Sequence, residues 1–133
     1  MAAGGCAVSL YGYQYVVLRC VPRVEREEFL NVGVVLYSQS ADYLEAEYHV
    51  DSARLSVLAP DLDATEVGEA LETVCRVCRG DTGGGLPNLG SLGRRFGWLS
   101  APRSTVVQPG PVHGGLTADP AAELAGLVQR LVG

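Results

Sequence analysis

The chain has 133 residues, 47% of them hydrophobic, and this length and composition predict one globular domain with a single core. Its formal net charge at pH 7 is −5, which argues against non-specific nucleic-acid binding as the main task, because neutralising phosphates requires clustered cations. All ten basic residues are arginines, so functions that depend on a lysine, such as a P-loop or a Schiff base, are excluded.

Residues 13–21 are apolar, β-branched and aromatic and end before Pro22, which predicts a strand buried on both faces. Residues 32–37 predict a second such strand, in which Gly33 marks a bulge or a close approach of two backbones. Residues 43–50 alternate between apolar and polar side chains, which is typical of a half-buried strand near a sheet edge.

Helical signals follow the third predicted strand. Asp63 and Glu66 resemble a capping box at the start of a long helix that reaches about Arg79. Asp119 followed by Pro120 predicts the N-cap and the first turn of the last helix. The other predicted elements are a short helix at residues 51–58, a glycine-rich loop at 80–90, a short helical segment with two weakening glycines at 91–99, a strand at 104–108 and a loop at 109–115.

These elements predict an α+β fold. Its antiparallel sheet would have about four strands, an N-terminal meander plus one later strand, with two main helices packed on one face. Residues 13–21 and 32–37 would be adjacent strands at its centre. We expect residues 1–10 to be a flexible lead and residues 11–133 to form the single domain. Because the two central strands are apolar on both faces, the second face also needs a cover, for which residues 86–103 or a partner protein are the candidates.

The sequence shows neither a secretory signal nor an apolar run of about 18 residues that could span a membrane. We therefore expect a cytoplasmic protein with reduced thiols and no membrane association. Cys75 and Cys78 lie three positions apart in a helical run, so they share one helix face. This spacing favours two buried, free thiols over a metal site or a redox pair, and we predict neither a metal nor a cofactor.

A polar insert separates the first two predicted strands. It holds more ionisable side chains than a hairpin turn requires, together with an asparagine, so we predict a site there. The residues considered for this site are Arg23, Arg26, Glu27, Glu28 and Asn31. They do not define a reaction, because the carboxylates could bind Mg²⁺ or could equally pair with arginines while Asn31 bonds the backbone.

Two blocks of the sequence are distinctive, the first reading YQYVVLRCVPRVEREEFLNVGVVLY and the second FGWLSAPRSTVVQPGPVHGGLTADP. With the amphipathic C-terminal helix, they resemble a bacterial family known as domain of unknown function 3037, from about residue 13 to residue 132. The resemblance implies no established activity. It does imply a protein partner, because members are often encoded beside a protein with a HipA-like kinase fold. The polar positions of the family fall on Glu28, Asn31, Arg103, Ser104, Thr105, Gln108 and His113.

The candidate binding or interface residues are therefore Arg23, Glu28, Asn31, Arg103, Ser104, Thr105, Gln108 and His113, and no catalytic residue is assigned. Residues 1–80 carry twelve acids and six arginines, a net charge of −6, whereas residues 81–133 carry three acids and four arginines, a net charge of +1. Since these parts attract, we expect the insert and residues 103–113 to converge, with an ion pair between Glu28 and Arg103.

The main functional hypothesis is a small, non-enzymatic accessory or interaction domain that acts with a partner protein, for which a HipA-like kinase is a candidate. Assembly with further copies of the chain is left open. The alternative is a small enzyme or ligand-binding domain for phosphate-bearing molecules that uses Glu28, Asn31, Arg103 and His113. The arginines of residues 94–103 could hold phosphate oxygens with paired hydrogen bonds. Nucleic-acid binding through the same segment is the weaker alternative, because aromatic residues do not alternate with its cations. A serine hydrolase is disfavoured, because Ser104 and His113 occur without a GxSxG elbow.

Overall fold

An antiparallel sheet forms the centre of the computed structural model, which describes residues 9–103 and 105–133. Within these residues the strands are β1 (Tyr11–Cys20), β2 (Leu30–Ser38), β3 (Tyr43–Tyr48), β4 (Val107–Pro109) and β5 (His113–Thr117). Their order is β3-β2-β1-β4; β4 pairs with the end of β1, and β5 pairs with its beginning. The two apolar strands β1 and β2 are therefore adjacent, antiparallel and central, which confirms the prediction made from their sequences.

Four helices accompany the sheet in the described part of the chain: α1 (Ser52–Leu58), α2 (Ala64–Arg79), α3 (Leu92–Ser100) and α4 (Pro120–Leu131). Each begins after a side chain that accepts a hydrogen bond from a backbone N–H of the first turn. These N-cap residues are Asp51, Asp63, Ser91 and Asp119. Helices and an antiparallel sheet together confirm the predicted α+β class.

The first three helices pack on one face of the sheet, which we name the α2 face. Alternate strand residues point to opposite sides, and this face holds Val16, Leu18 and Val35. These side chains join one core cluster with Leu71 of α2 and Phe96 of α3.

The opposite face, named the α4 face, holds Val34 and Leu36, which pack against Leu124 and Leu127 of α4. Two-sided helix cover explains why the central strands are apolar on both sides. The expectation that residues 86–103 cover the second face is wrong, because α3 lies on the α2 face. The main helices α2 and α4 thus lie on opposite faces of the sheet. The apolar face of a helix shows that the helix packs on a sheet, but when both faces of the sheet are apolar it does not show which one the helix covers.

A bulge interrupts the pairing of β1 and β2. Leu18 pairs with Gly33 and Arg19 pairs with Asn31, which leaves Val32 as the extra residue of β2. A Cβ atom on Gly33 would lie 3.0 Å from the carbonyl oxygen of Glu47, so a side chain there would press on β3. Both expectations for Gly33, a bulge and a close backbone approach, are confirmed. The bulge buries Val32 in the α2-face core and directs Asn31 toward α4.

The strand β5 falls in a segment whose sequence predicts a loop. Gly114 and Gly115 suggested a turn, but here they allow close pairing with β1. A Cβ on Gly115 would lie 2.8 Å from the hydroxyl oxygen of Tyr13, so the glycine accommodates an aromatic ring rather than a bend. The predicted strand at residues 104–108 is shorter and later than expected, since pairing with β1 begins only at Val107.

Candidate functional site

An open groove lies between the β1–β2 insert, α1 and the loop that leads to α2. It has a volume of ≈ 880 Å³, and we name it the insert groove. Its walls include the apolar side chains of Phe29, Leu30, Val57, Leu58 and Leu62. Val57 is 87% exposed although it is a large aliphatic residue. The groove thus presents apolar surface that the described residues do not cover.

Three arginines stand around this groove, in a chain whose net charge is −5. Arg26 Nε donates to the Glu28 carboxylate at 2.5 Å, and this hydrogen bond raises the pKa of Arg26. Arg54 donates to the carbonyl oxygen of Val132 at 3.3 Å. Arg23 is exposed and forms no ion pair with any residue that the structure describes. The groove walls also contain two acids, Glu28 and Asp61, so the lining residues carry one more arginine than acids.

The insert has a defined local conformation. Residues Val24–Arg26 form one 3-10 turn, and Glu27 follows with a φ of 54°, in the left-handed region that non-glycine residues rarely occupy. This turn leaves Val24 66% exposed and Phe29 47% exposed. The insert is therefore more than a tight hairpin, as its sequence predicted, and it holds apolar side chains out toward solvent.

A second cavity, of ≈ 560 Å³, lies between α2, α3 and residues 101–103 and 105. We name it the Trp98 cavity. Its walls are mainly apolar, with Ala70 and Val74 on α2 opposite Trp98, and Arg103 is the charged group among them. The Arg103 guanidinium lies 3.9 Å from the centroid of the Trp98 ring and donates to the Trp98 carbonyl oxygen. Burial lowers the pKa of Arg103.

The remaining candidates lie on the α4 face. The Asn31 side-chain amide donates to the carbonyl oxygen of Leu131 at 3.1 Å, which satisfies the C-terminal end of α4. Gln108 donates to the carbonyl oxygen of Thr105 at 3.0 Å. The ring of His113, an exposed residue, lies 5.3 Å from the ring of Tyr15. These contacts serve the fold, and they do not place the three side chains around one common point.

Sequence reasoning missed Arg19, which sits among these residues. Its guanidinium lies 4.2 Å from the Phe29 ring centroid, and a Cβ on Gly110 would come within 3.1 Å of it. Its Nε is buried without a hydrogen-bond partner, and so is Oδ1 of its strand neighbour Asn31. The detectable signal was a single charge in an otherwise apolar strand. They are a donor and an acceptor on paired strand residues, but no hydrogen bond joins them.

The predicted site residues are thus separated by the structure. Arg23 and Glu28 line the insert groove, whereas Arg103 and Thr105 line the Trp98 cavity. The backbones do approach, since the Val21 amide donates to the Val106 carbonyl at 2.7 Å.

The predicted ion pair between Glu28 and Arg103 is wrong. Glu28 binds Arg26, and Arg103 binds Trp98, each being satisfied by a neighbour close in the sequence. Candidate Ser104 lies outside the described residues.

The cysteines on α2 are free thiols, as predicted. Cys78 is buried, and burial raises its pKa to about 12. Cys75 is only half-buried, whereas burial of both was predicted, and its partial burial still raises its pKa. Both therefore remain protonated at neutral pH and are poor nucleophiles there. Cys20, on β1, is a third buried free thiol. Among the described residues, no group of three or more His, Cys, Asp or Glu side chains is placed to hold a metal ion.

A family model described as "Protein of unknown function (DUF3037)" matches residues 15–132, which is nearly the whole chain. Comparison with curated proteins and comparison with solved structures gave no match. In the part of the chain that the structure covers, none of the helices is both long enough and apolar enough to cross a membrane.

Proposed function

We propose that this chain, which belongs to the DUF3037 family, is a small cytoplasmic accessory domain that binds a partner protein through the insert groove. The observation that supports this proposal most directly is the exposure of Val57 at a groove with three arginines. Exposed apolar surface bordered by polar groups is typical of protein interaction sites, and arginine is enriched at them. The partner would present apolar side chains flanked by carboxylates.

The separation of the candidate residues also favours interaction over catalysis. A small enzyme or phosphate-binding pocket would gather the two polar blocks around one ligand, whereas here they line different cavities. The groove is broad and open, with Phe29 and Val57 at its walls, which suits side chains of a folded partner. A protein with the HipA-like kinase fold is the partner that we propose to test.

The test is coexpression with a protein of the HipA-like kinase fold, the kind of protein beside which family members are often encoded, followed by measurement of complex mass and of Kd. We expect a complex that V57D weakens at least tenfold, because the substitution buries a charge in the interface. The matched control is L116D, since Leu116 is 67% exposed on β5, outside the insert groove. Both side chains are exposed, so neither variant should unfold.

Absence of a complex would refute the HipA-like partner, and equal binding by wild type and V57D would refute the groove. Charge is tested in the same assay with R23E, which removes one arginine and adds an acid without breaking a described ion pair. We expect R23E to weaken the complex and to reduce its sensitivity to salt, since exposed charges are screened.

A phosphate-bearing ligand remains the second candidate, favoured by one observation: Arg23 is exposed without an ion-pair partner among the described residues, beside Arg26 and Arg54. Arginine forks match phosphate oxygens. Calorimetric titration with pyrophosphate tests it. Saturable binding that R54Q weakens would support this candidate, and absence of heat in wild type would eliminate pyrophosphate binding.

A further inference from the structure

The Trp98 cavity is independent of the insert groove and combines a large apolar lining with one cation. Its volume of ≈ 560 Å³ lies within the range of about 300–1,000 Å³ that is common for small-molecule sites. Ala70 and Val74 form the wall on α2, Trp98 and Leu99 form the wall on α3, and Val107 on β4 lines the cavity as well. This lining resembles the usual small-molecule site, which is mostly apolar with few polar groups that fix orientation.

Arg103 is incompletely satisfied in this position. One of its N–H groups donates to the Trp98 carbonyl oxygen at the C-terminal end of α3, and its guanidinium lies over the Trp98 ring. Both contacts favour a cation. Yet its Nε is buried without a hydrogen-bond partner, and none of the described acidic side chains lies within ion-pair distance of it. A half-buried guanidinium without a carboxylate is a costly arrangement, and a bound anion would offset that cost.

The two threonine hydroxyls of the cavity already donate to backbone carbonyls. The hydroxyl of Thr73 donates to the carbonyl oxygen of Glu69 at 3.0 Å, and that of Thr105 donates to the carbonyl oxygen of Val107 at 2.6 Å. Since each hydroxyl has one proton, neither can donate to a ligand while these bonds persist. The Arg103 guanidinium and the indole N–H of Trp98 are then the side-chain donors that remain for a ligand, and Arg103, as the charged one, prefers an anionic acceptor.

We propose that the Trp98 cavity binds a small amphiphilic carboxylate, with its apolar body between α2 and α3 and its carboxylate on Arg103. This site does not depend on the proposed partner and would persist if the insert groove bound nothing.

The test uses three probes with one chain length, decanoate, 1-decanol and decylammonium, each below its micelle concentration. Trp98 is the single tryptophan of the chain, so its fluorescence reports occupancy directly. We expect decanoate to give a saturable change and to bind at least about tenfold tighter than decanol, with decylammonium weaker still. Bound decanoate should also raise the Tm, which separates specific binding from detergent-like unfolding.

Variants then test the separate contributions of the Arg103 charge and of the cavity volume to binding. R103Q should bring the affinities for decanoate and decanol close together. Arg94 is an exposed residue of α3 outside the cavity wall, so R94Q should leave the ratio of the two affinities unchanged. A70L fills the cavity without touching the charge and should weaken both probes. If R103Q fails to fold, the affinities of wild type for the three probes and the effect of A70L still test whether the cavity binds a carboxylate.

Equal affinity for decanoate and decanol in wild type would overturn the proposal. So would the lack of a saturable Trp98 signal, or an R94Q effect as large as that of R103Q. A decanoate affinity unchanged by A70L would place the probe elsewhere and would overturn it too.

Discussion

The insert groove and the Trp98 cavity both combine arginine with apolar side chains, but they differ in burial. In the groove, Val57 is exposed, and Arg23 is exposed without an ion pair among the described residues. In the cavity, Arg103 is half-buried, stacked on Trp98 and bonded to the end of α3. Similar residues therefore have different roles: Val57 and Arg23 of the groove can change at little cost to the fold, whereas Arg103 and Trp98 of the cavity are coupled to it. A surface that recognises a partner is expected to have the first property.

The largest contrast is expected between two aliphatic side chains. Leu71, on the helix that forms one wall of the Trp98 cavity, is fully buried, and L71A should destabilise the protein by about 2–5 kcal/mol, from lost burial and a residual cavity. V57A should change stability by less than about 0.5 kcal/mol, because this side chain is already in water. Urea unfolding at 25 °C measures both. A comparable loss in the two variants would show that the groove wall belongs to the core, and the comparison would fail.

A smaller contrast is expected between two arginines. R103A removes the hydrogen bond to the Trp98 carbonyl, the contact with its ring and the packing of the aliphatic stem, so we expect a loss of about 1–3 kcal/mol. R23A should stay within about 0.5 kcal/mol of wild type. R103K is the informative control, since it keeps the charge but not the planar stacking, and it should recover only part of the loss. Equal stability of R103A and R23A would mean that the contacts of Arg103 have no net energetic value.

Much of the fold is predictable because its signals are local. Apolar runs with β-branched residues defined the two central strands, and Asp63 and Asp119 marked helix starts that the structure confirms. The strand β5 was missed because Gly114 and Gly115 have the composition of a loop. Their actual role, room for the Tyr13 ring on β1, depends on a partner far away in the sequence.

The site was less predictable for a physical reason. Opposite charges on two segments indicate attraction, but they do not decide which pairs form when nearer partners exist. Glu28 pairs with Arg26, two residues away in the sequence, and Arg103 donates to the carbonyl oxygen of Trp98, five residues away. Pairing with a residue close in the sequence costs little chain entropy. Such a pair is therefore favoured over a pair of similar interaction energy between residues far apart in the sequence. Arg19 escaped notice because its environment is created by Phe29 and Gly110, which only the folded sheet brings together.

The smallest expected effect concerns the backbone of the insert. It tests whether the insert groove, unlike a surface that forms only on binding, already has its shape in the free protein. Glu27 has a φ of 54°, a conformation that costs most L-residues about 1–2 kcal/mol. E27G removes this strain, but glycine adds unfolded-state entropy that costs about 0.5–1 kcal/mol, so a net stabilisation between 0 and about 1.5 kcal/mol remains. The matched control is D42G, at a φ of 51° in the β2–β3 turn, away from the groove.

Because aspartate tolerates the left-handed region better than glutamate, D42G should gain less stability than E27G in the same urea titration. The two variants should also differ in partner binding. Glycine at residue 27 loosens the 3-10 turn that supports Val24 and Phe29, so the partner must order the insert on binding and the Kd should rise, whereas D42G should bind as wild type does. A destabilisation of more than about 1 kcal/mol in E27G would mean that the Glu27 side chain, rather than its backbone, maintains the insert. The wall of the insert groove would then depend on a contact rather than on chain geometry.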